Sequence, residues 1–183
     1  NKPALFIVII NVLALLLAVI LDKKLYSTNI LRAGFFIPYI LSLVIVGFIW
    51  RFIFMQGFNA LGEITGWKVF SWSWLGDAKL AFWSILIVSV WQSIGLYIVI
   101  YIAGLQAIPH EMLEASIVDG AGSINRFFKV IFPLLMPSIT TCVFLALTNS
   151  IKVFDVIVSL TNGGPGGATV SITYNIYKEA FQN

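Results

Sequence analysis

Residues 80–110 run for 31 positions without a single Asp, Glu, Lys or Arg. A charge at the centre of a bilayer costs at least about 2.5–3.5 kcal/mol on insertion scales, and a spanning helix needs roughly 20 apolar residues. A run of this length is a membrane crossing with residues to spare. Three further stretches qualify. Residues 3–21 and 33–50 carry no charge, the latter staying apolar past Arg51 to Phe58. Residues 130–151 carry none either, and stay apolar through Lys152 and Asp155 to Leu160. The pattern predicts an all-α, polytopic integral membrane protein with four spans, and makes lipid its first partner. Composition excludes the alternatives. Charged residues make up 10% of the chain and mean hydropathy is +0.97, against about 25% charged in a soluble domain. The 11 basic residues are scattered rather than striped, which excludes nucleic acid as a partner. The 15 Phe, 6 Tyr and 6 Trp exclude disorder. The apolar run at 4–21 exceeds the about 7–15 residues of a signal-peptide core and has no small-residue cleavage site before Asp22, so it reads as a span.

Catalytic and cofactor signals are missing. Cys142 and His110 are single, with no ligand-spaced Cys, Asp or Glu around them, so no metal site is expected. The eight acids are spread along the chain and form no catalytic cluster, which argues against an enzyme. No G-x-x-x-x-G-K-[ST] occurs, and the Gly163–Gly167 cluster has no Lys after it, so that cluster reads as a turn and not a phosphate cradle.

Three links join the spans. Residues 22–33 are short and basic, and residues 59–79 are polar-aromatic with three Trp, as befits a membrane–water interface. Residues 106–129 are the most polar part of the chain. Basic residues are denser in the first link than in the second, so the positive-inside rule puts links one and three in the cytoplasm. The third link reads as two capped helices at the membrane surface. Pro109 suits a first helical position, Glu111 and Glu114 favour the positive end of the helix, and Gly120 fits a left-handed C-terminal position. Ser123 suits the cap of a second helix, and Pro133 restarts the chain into the membrane. A loop this long is more than a connection needs.

Within it stand Glu114-Ala115-Ser116, three residues, Gly120, nine residues, then Val130-Ile131-Phe132-Pro133. This resembles the hallmark cytoplasmic loop of the membrane subunits of binding-protein-dependent ABC importers, which reads E-A-A, three residues, G, nine residues, I-x-L-P. The departures, Ser116, Val130 and Phe132, are small or apolar swaps. Further segments, among them Phe36-Ile37-Pro38-Tyr39, Trp74-Leu75-Gly76-Asp77, Ser89-Val90-Trp91-Gln92 and Leu160-Thr161-Asn162-Gly163-Gly164-Pro165-Gly166, are similar to the carbohydrate-uptake permeases of the maltose and glycerol-phosphate type.

The resemblance implies a type I ABC importer transmembrane domain over residues 1–183. It would be truncated at both ends, with four of about six spans present and a cytoplasmic coupling loop at 106–133. It implies a prokaryotic cell membrane, a second permease subunit, two ATP-binding subunits docked on the hallmark loops, and an extracytoplasmic binding protein that delivers a sugar or related solute. No cofactor is implied, and ATP hydrolysis belongs to the separate subunits. A secondary transporter or channel is the alternative, but it has no use for the loop. The coupling residues are then Glu111, Glu114, Ala115, Ser116, Asp119, Gly120 and Ala121. Small Ala115 and Ser116 permit close approach of a partner. Glu114 accepts hydrogen bonds from the partner or from its own loop, and Asp119 either bonds the turn or is solvated. Trp91 and Gln92 in the third span, with Asn149 in the fourth, border a solute path or else pack between helices, and the same alternatives hold for Tyr97, Tyr101 and Ser150. Lys152 and Asp155, three apart on one helix face, form an intramembrane ion pair or else each reaches a nearby interface separately. Arg51 anchors a span end at the interface.

Overall fold

The computed structural model describes residues 2–22, 28–151, 156–161, 163–164, 174 and 179–180. The proposed Lys152–Asp155 pair lies outside the described residues. Within them the regular elements are all helical: α1 (Lys2–Leu21), α2 (Thr28–Ile40), α3 (Leu43–Thr65), α4 (Ala78–Gln106), α5 (His110–Val118), α6 (Ser123–Leu134) and α7 (Met136–Ile151). Single π-type turns interrupt α3 at Ile53–Gly57 and α6 at Phe127–Ile131, and a third occupies Ile157–Thr161.

Helices α1, α3 and α4 are each long and apolar enough to cross a membrane. The expected second span at 33–58 is corrected: the chain breaks at Leu41–Ser42, which separates the 13-residue α2 from the 23-residue α3. Pro38 near the end of α2 supplies no N–H to the helix and clashes with the preceding turn, so the helix stops soon after it. The expected fourth span at 130–151 takes the form of two helices, α6 and α7, bent by 68°, which together are long and apolar enough for one crossing. The bend falls at the buried Leu135, between Pro133 and Pro137, two residues that cannot donate to the helical ladder.

The chain clusters into two compact units, residues 1–39 with 93–148, and residues 40–92 with 149–183. In the first, α1 buries Phe6, Ile10, Ala14 and Ala18, four apart on one face, while Val8, Val12, Leu16 and Ile20 stay exposed on another. Asn11 Nδ2 donates to its own helix at Ile7 O (2.8 Å), and its Oδ1 accepts from the buried Tyr101 hydroxyl of α4 (2.6 Å). Two glycines of α4 let neighbouring backbones in. A Cβ on Gly95 would fall on the carbonyl of Phe35 in α2, and one on Gly104 would meet Ser138 of α7. Small residues at helix contacts are the usual device for close packing in membranes.

The second unit has a core of Val46, Phe54, Ile85, Val88, Val156, Ile157 and Leu160. Gly66, at φ 70°, closes α3 in the left-handed conformation, and the following loop folds back along it. Phe70 and Ser71 lie against Gly62, and Trp74 stacks on Phe54 with ring centroids 5.6 Å apart. Trp74 Nε1 donates to Val69 O (3.0 Å), and Ser84 Oγ of α4 donates to Trp74 O (3.1 Å). Asp77 then caps α4, its Oδ1 accepting from the backbone N–H groups of Lys79 (2.8 Å) and Leu80 (3.0 Å).

Candidate functional site

The polar link folds as its sequence suggests, with two shifts. Pro109 sits one position outside α5, at its N-cap, and Gly122 rather than Ser123 precedes α6, with no side-chain capping bond at either end. Glu111 lies in the first turn of α5. Gly120 takes φ +74°. Around it Gly120 N–H donates to Ile117 O and Ala121 N–H donates to Ser116 O, both at 3.0 Å. That pair of bonds is a Schellman closure, which satisfies helix-end carbonyls and requires a left-handed residue at the glycine position. The backbone therefore closes the turn, and Asp119 is exposed. Ser116 is buried, its Oγ donating to Leu113 O at 2.6 Å. Glu111, Glu114, Ala115 and the apolar Met112, Ile117 and Val118 are exposed, Val118 to 86%.

The three solute-path residues share one unit but not one environment. Gln92 is buried, and its Nε2 donates to Leu41 O (3.3 Å), a carbonyl at the break between α2 and α3. Trp91 is 40% exposed and packs edge-on against Trp50 at 5.5 Å. Asn149 is half-buried. α4 itself buries further polar groups at Ser84, Ser89 and Ser93, of which Ser89 Oγ has no hydrogen-bond partner among the described residues. Tyr97 is fully enclosed, and the Tyr101 hydroxyl is taken by Asn11, so Tyr101 serves helix packing.

Arg51 is the ninth residue of the 23-residue α3 and is exposed. It lines a cavity of about 550 Å³ that runs along α3 past Phe54, Met55 and Asn59, beneath residues 71–76, to Leu160 and Thr161. Among the described residues the lining includes Ser71, Trp72 and Ser73 and no carboxylate.

A family model described as the inner membrane component of binding-protein-dependent transport systems matches residues 10–183. The chain belongs to that family. It is not an enzyme family: its members are the membrane permeases of transport systems. The chain is 44% identical over 177 residues to a probable starch degradation products transport system permease protein of Thermoanaerobacterium thermosulfurigenes, covering 96% of this chain and 60% of that one. It is 37% identical over 172 residues to a multiple sugar-binding transport system permease of Streptococcus mutans, covering 94% and 59%. The chain thus spans about 60% of the length of such relatives. Its fold matches a bacterial ABC transporter that imports the acidic polysaccharide alginate, with a TM-score of 0.79 at 18% identity, over 99% of this chain and 68% of that one.

The motif spacing pointed to the polar loop and to the left-handed glycine in it. It did not reveal that Ser116 is buried, nor that Arg51 meets a cavity. The one available signal for Arg51 was its isolation in an otherwise uncharged stretch of residues 33–62.

Proposed function

We propose that the chain is the permease subunit of an ATP-driven importer for a sugar or related solute, in a prokaryotic cell membrane. It pairs with a second permease subunit, two ATP-binding subunits and an extracytoplasmic binding protein. One observation carries the coupling role: α5 presents Glu111, Glu114, Ala115, Met112, Ile117 and Val118 on an exposed surface beside a Schellman turn that depends on Gly120. A short helix with exposed apolar and acidic groups, stopped by a rigid turn, suits a docked cytoplasmic partner whose movement must reach the spans. Names of relatives that refer to starch products and multiple sugars support the solute class. Ser116 supports the helix from within, and Asp119 and Ala121 frame the turn.

The test is Gly120→Val and Glu114→Lys in the full transporter. A side chain at a left-handed position costs about 1–2 kcal/mol, enough to displace the turn. Less ATPase subunit should copurify, or ATP hydrolysis should cease to respond to the loaded binding protein. Normal association and normal stimulated transport in both variants would refute the coupling role.

A further inference from the structure

The cavity beside Arg51 is not used by the coupling surface, and its walls have a chemistry of their own. Its volume of about 550 Å³ falls in the range of small-molecule sites, roughly 300–1,000 Å³. Trp72, half exposed, offers an indole surface, an apolar platform for the C–H face of a pyranose. Arg51 offers a rigid fork of donors. Asn59 Nδ2 is engaged with Met55 O at 2.7 Å, which leaves its Oδ1 to accept. Ser71 and Ser73 bring hydroxyls. Phe54, Leu75 and Leu160 complete an apolar wall.

The loop that carries Ser71, Trp72 and Ser73 is held firmly. Trp74 is fixed by its bond to Val69 and its stacking on Phe54, Ser84 ties down the Trp74 carbonyl, and Asp77 fastens the start of α4. A site held in advance loses little entropy on binding. In sequence the loop precedes α4, whereas the coupling helix follows it.

We propose that this cavity, between α3 and the loop that precedes α4, is a solute subsite where a pyranose ring rests on Trp72 with its hydroxyls bonded to Arg51 and Asn59. The proposal rests on the sugar-importer reading and adds to it a place where the solute stops within this chain.

The experiment uses the intact transporter carrying Ser73→Cys, assayed without binding protein. Native Cys142 is buried, so a bulky thiol reagent followed by mass analysis of this subunit reports position 73. Maltotriose should slow the labelling in a saturable way. Trp72→Ala and Arg51→Gln should each raise the half-protecting concentration by about tenfold, with Trp72→Phe recovering most of the loss. Copurification of the ATP-binding subunits serves as the assembly control for all variants. No protection by maltotriose in an assembled transporter overturns the subsite and leaves the importer reading standing. Protection by glucose 1-phosphate but not by maltotriose makes the cavity an anion site and overturns the pyranose assignment. Protection that is insensitive to both Trp72→Ala and Arg51→Gln also overturns it.

Discussion

Replacing Gly95 by Ala is the smallest change that tests how α2 and α4 pack. The added Cβ would fall on the Phe35 carbonyl oxygen, 2.7 Å from its carbon and 2.9 Å from the Phe36 Cα. All three are backbone atoms, and ordinary contact begins near 3.4 Å, so no side chain can rotate away and α2 itself must withdraw. Overpacking of this kind costs about 1–3 kcal/mol. Ala is better than Gly within a helix by about 0.5–1 kcal/mol, which offsets part of the loss. The net expectation is a destabilisation of about 1–2 kcal/mol, or several degrees of apparent melting temperature at about 2–4 °C per kcal/mol. Gly34→Ala is the matched control, because nothing lies within 4 Å of a Cβ built there. Thermal denaturation of the detergent-purified transporter, followed by size-exclusion chromatography, reads both. If Gly95→Ala melts no lower than Gly34→Ala, the backbone contact between α2 and α4 does not exist as described.

Gln92→Ala leaves the Leu41 carbonyl unpaired at the break after α2 and should cost about 1–3 kcal/mol; an unchanged melting temperature with an altered transport KM would return Gln92 to the solute path. Asp77→Ala removes the cap of α4 and should cost about 1 kcal/mol, with Asp77→Asn restoring most of it in the same denaturation assay. For Lys152 and Asp155, three apart in sequence, Asp155→Ala alone should impair assembly more than the double neutral variant; a double variant no better than the worse single one rules out the pair.

Membrane character was legible because lipid imposes one demand on every residue of a span, the absence of charge, and residues 80–110 meet it without interruption. The facing of each span was not legible. On α1 the buried Phe6–Ile10–Ala14–Ala18 stripe and the exposed Val8–Val12–Leu16–Ile20 stripe are both apolar, so hydropathy has no contrast to display. The break at Leu41–Ser42 was missed because it lies in continuously apolar sequence and because the Leu41 carbonyl is met by Gln92, 51 residues away. Gly120 was legible for the opposite reason. Its helix closes through local bonds, from Ile117 and Ser116 to Gly120 and Ala121, and a left-handed residue in such a turn is most cheaply glycine. The burial of Ser116 depends on what the helix rests against, which spacing alone does not encode.

The π-type turn at Ile53–Gly57 gives α3 an unusual tolerance to errors of length. Deleting one residue from a regular helix rotates everything beyond it by about 100° and scrambles every contact downstream. A π-type turn is an α-turn carrying one residue too many. Loss of the exposed Gln56 would turn it into an ordinary turn, leaving Trp50 and Phe58 on nearly the faces they occupy now. The same deletion a few positions earlier, among Val44–Phe48, would have no surplus to absorb it. Insertions and deletions in this helix should therefore be survivable at one point and damaging elsewhere, a pattern that a scan of single-residue deletions along Leu43–Thr65 would display directly.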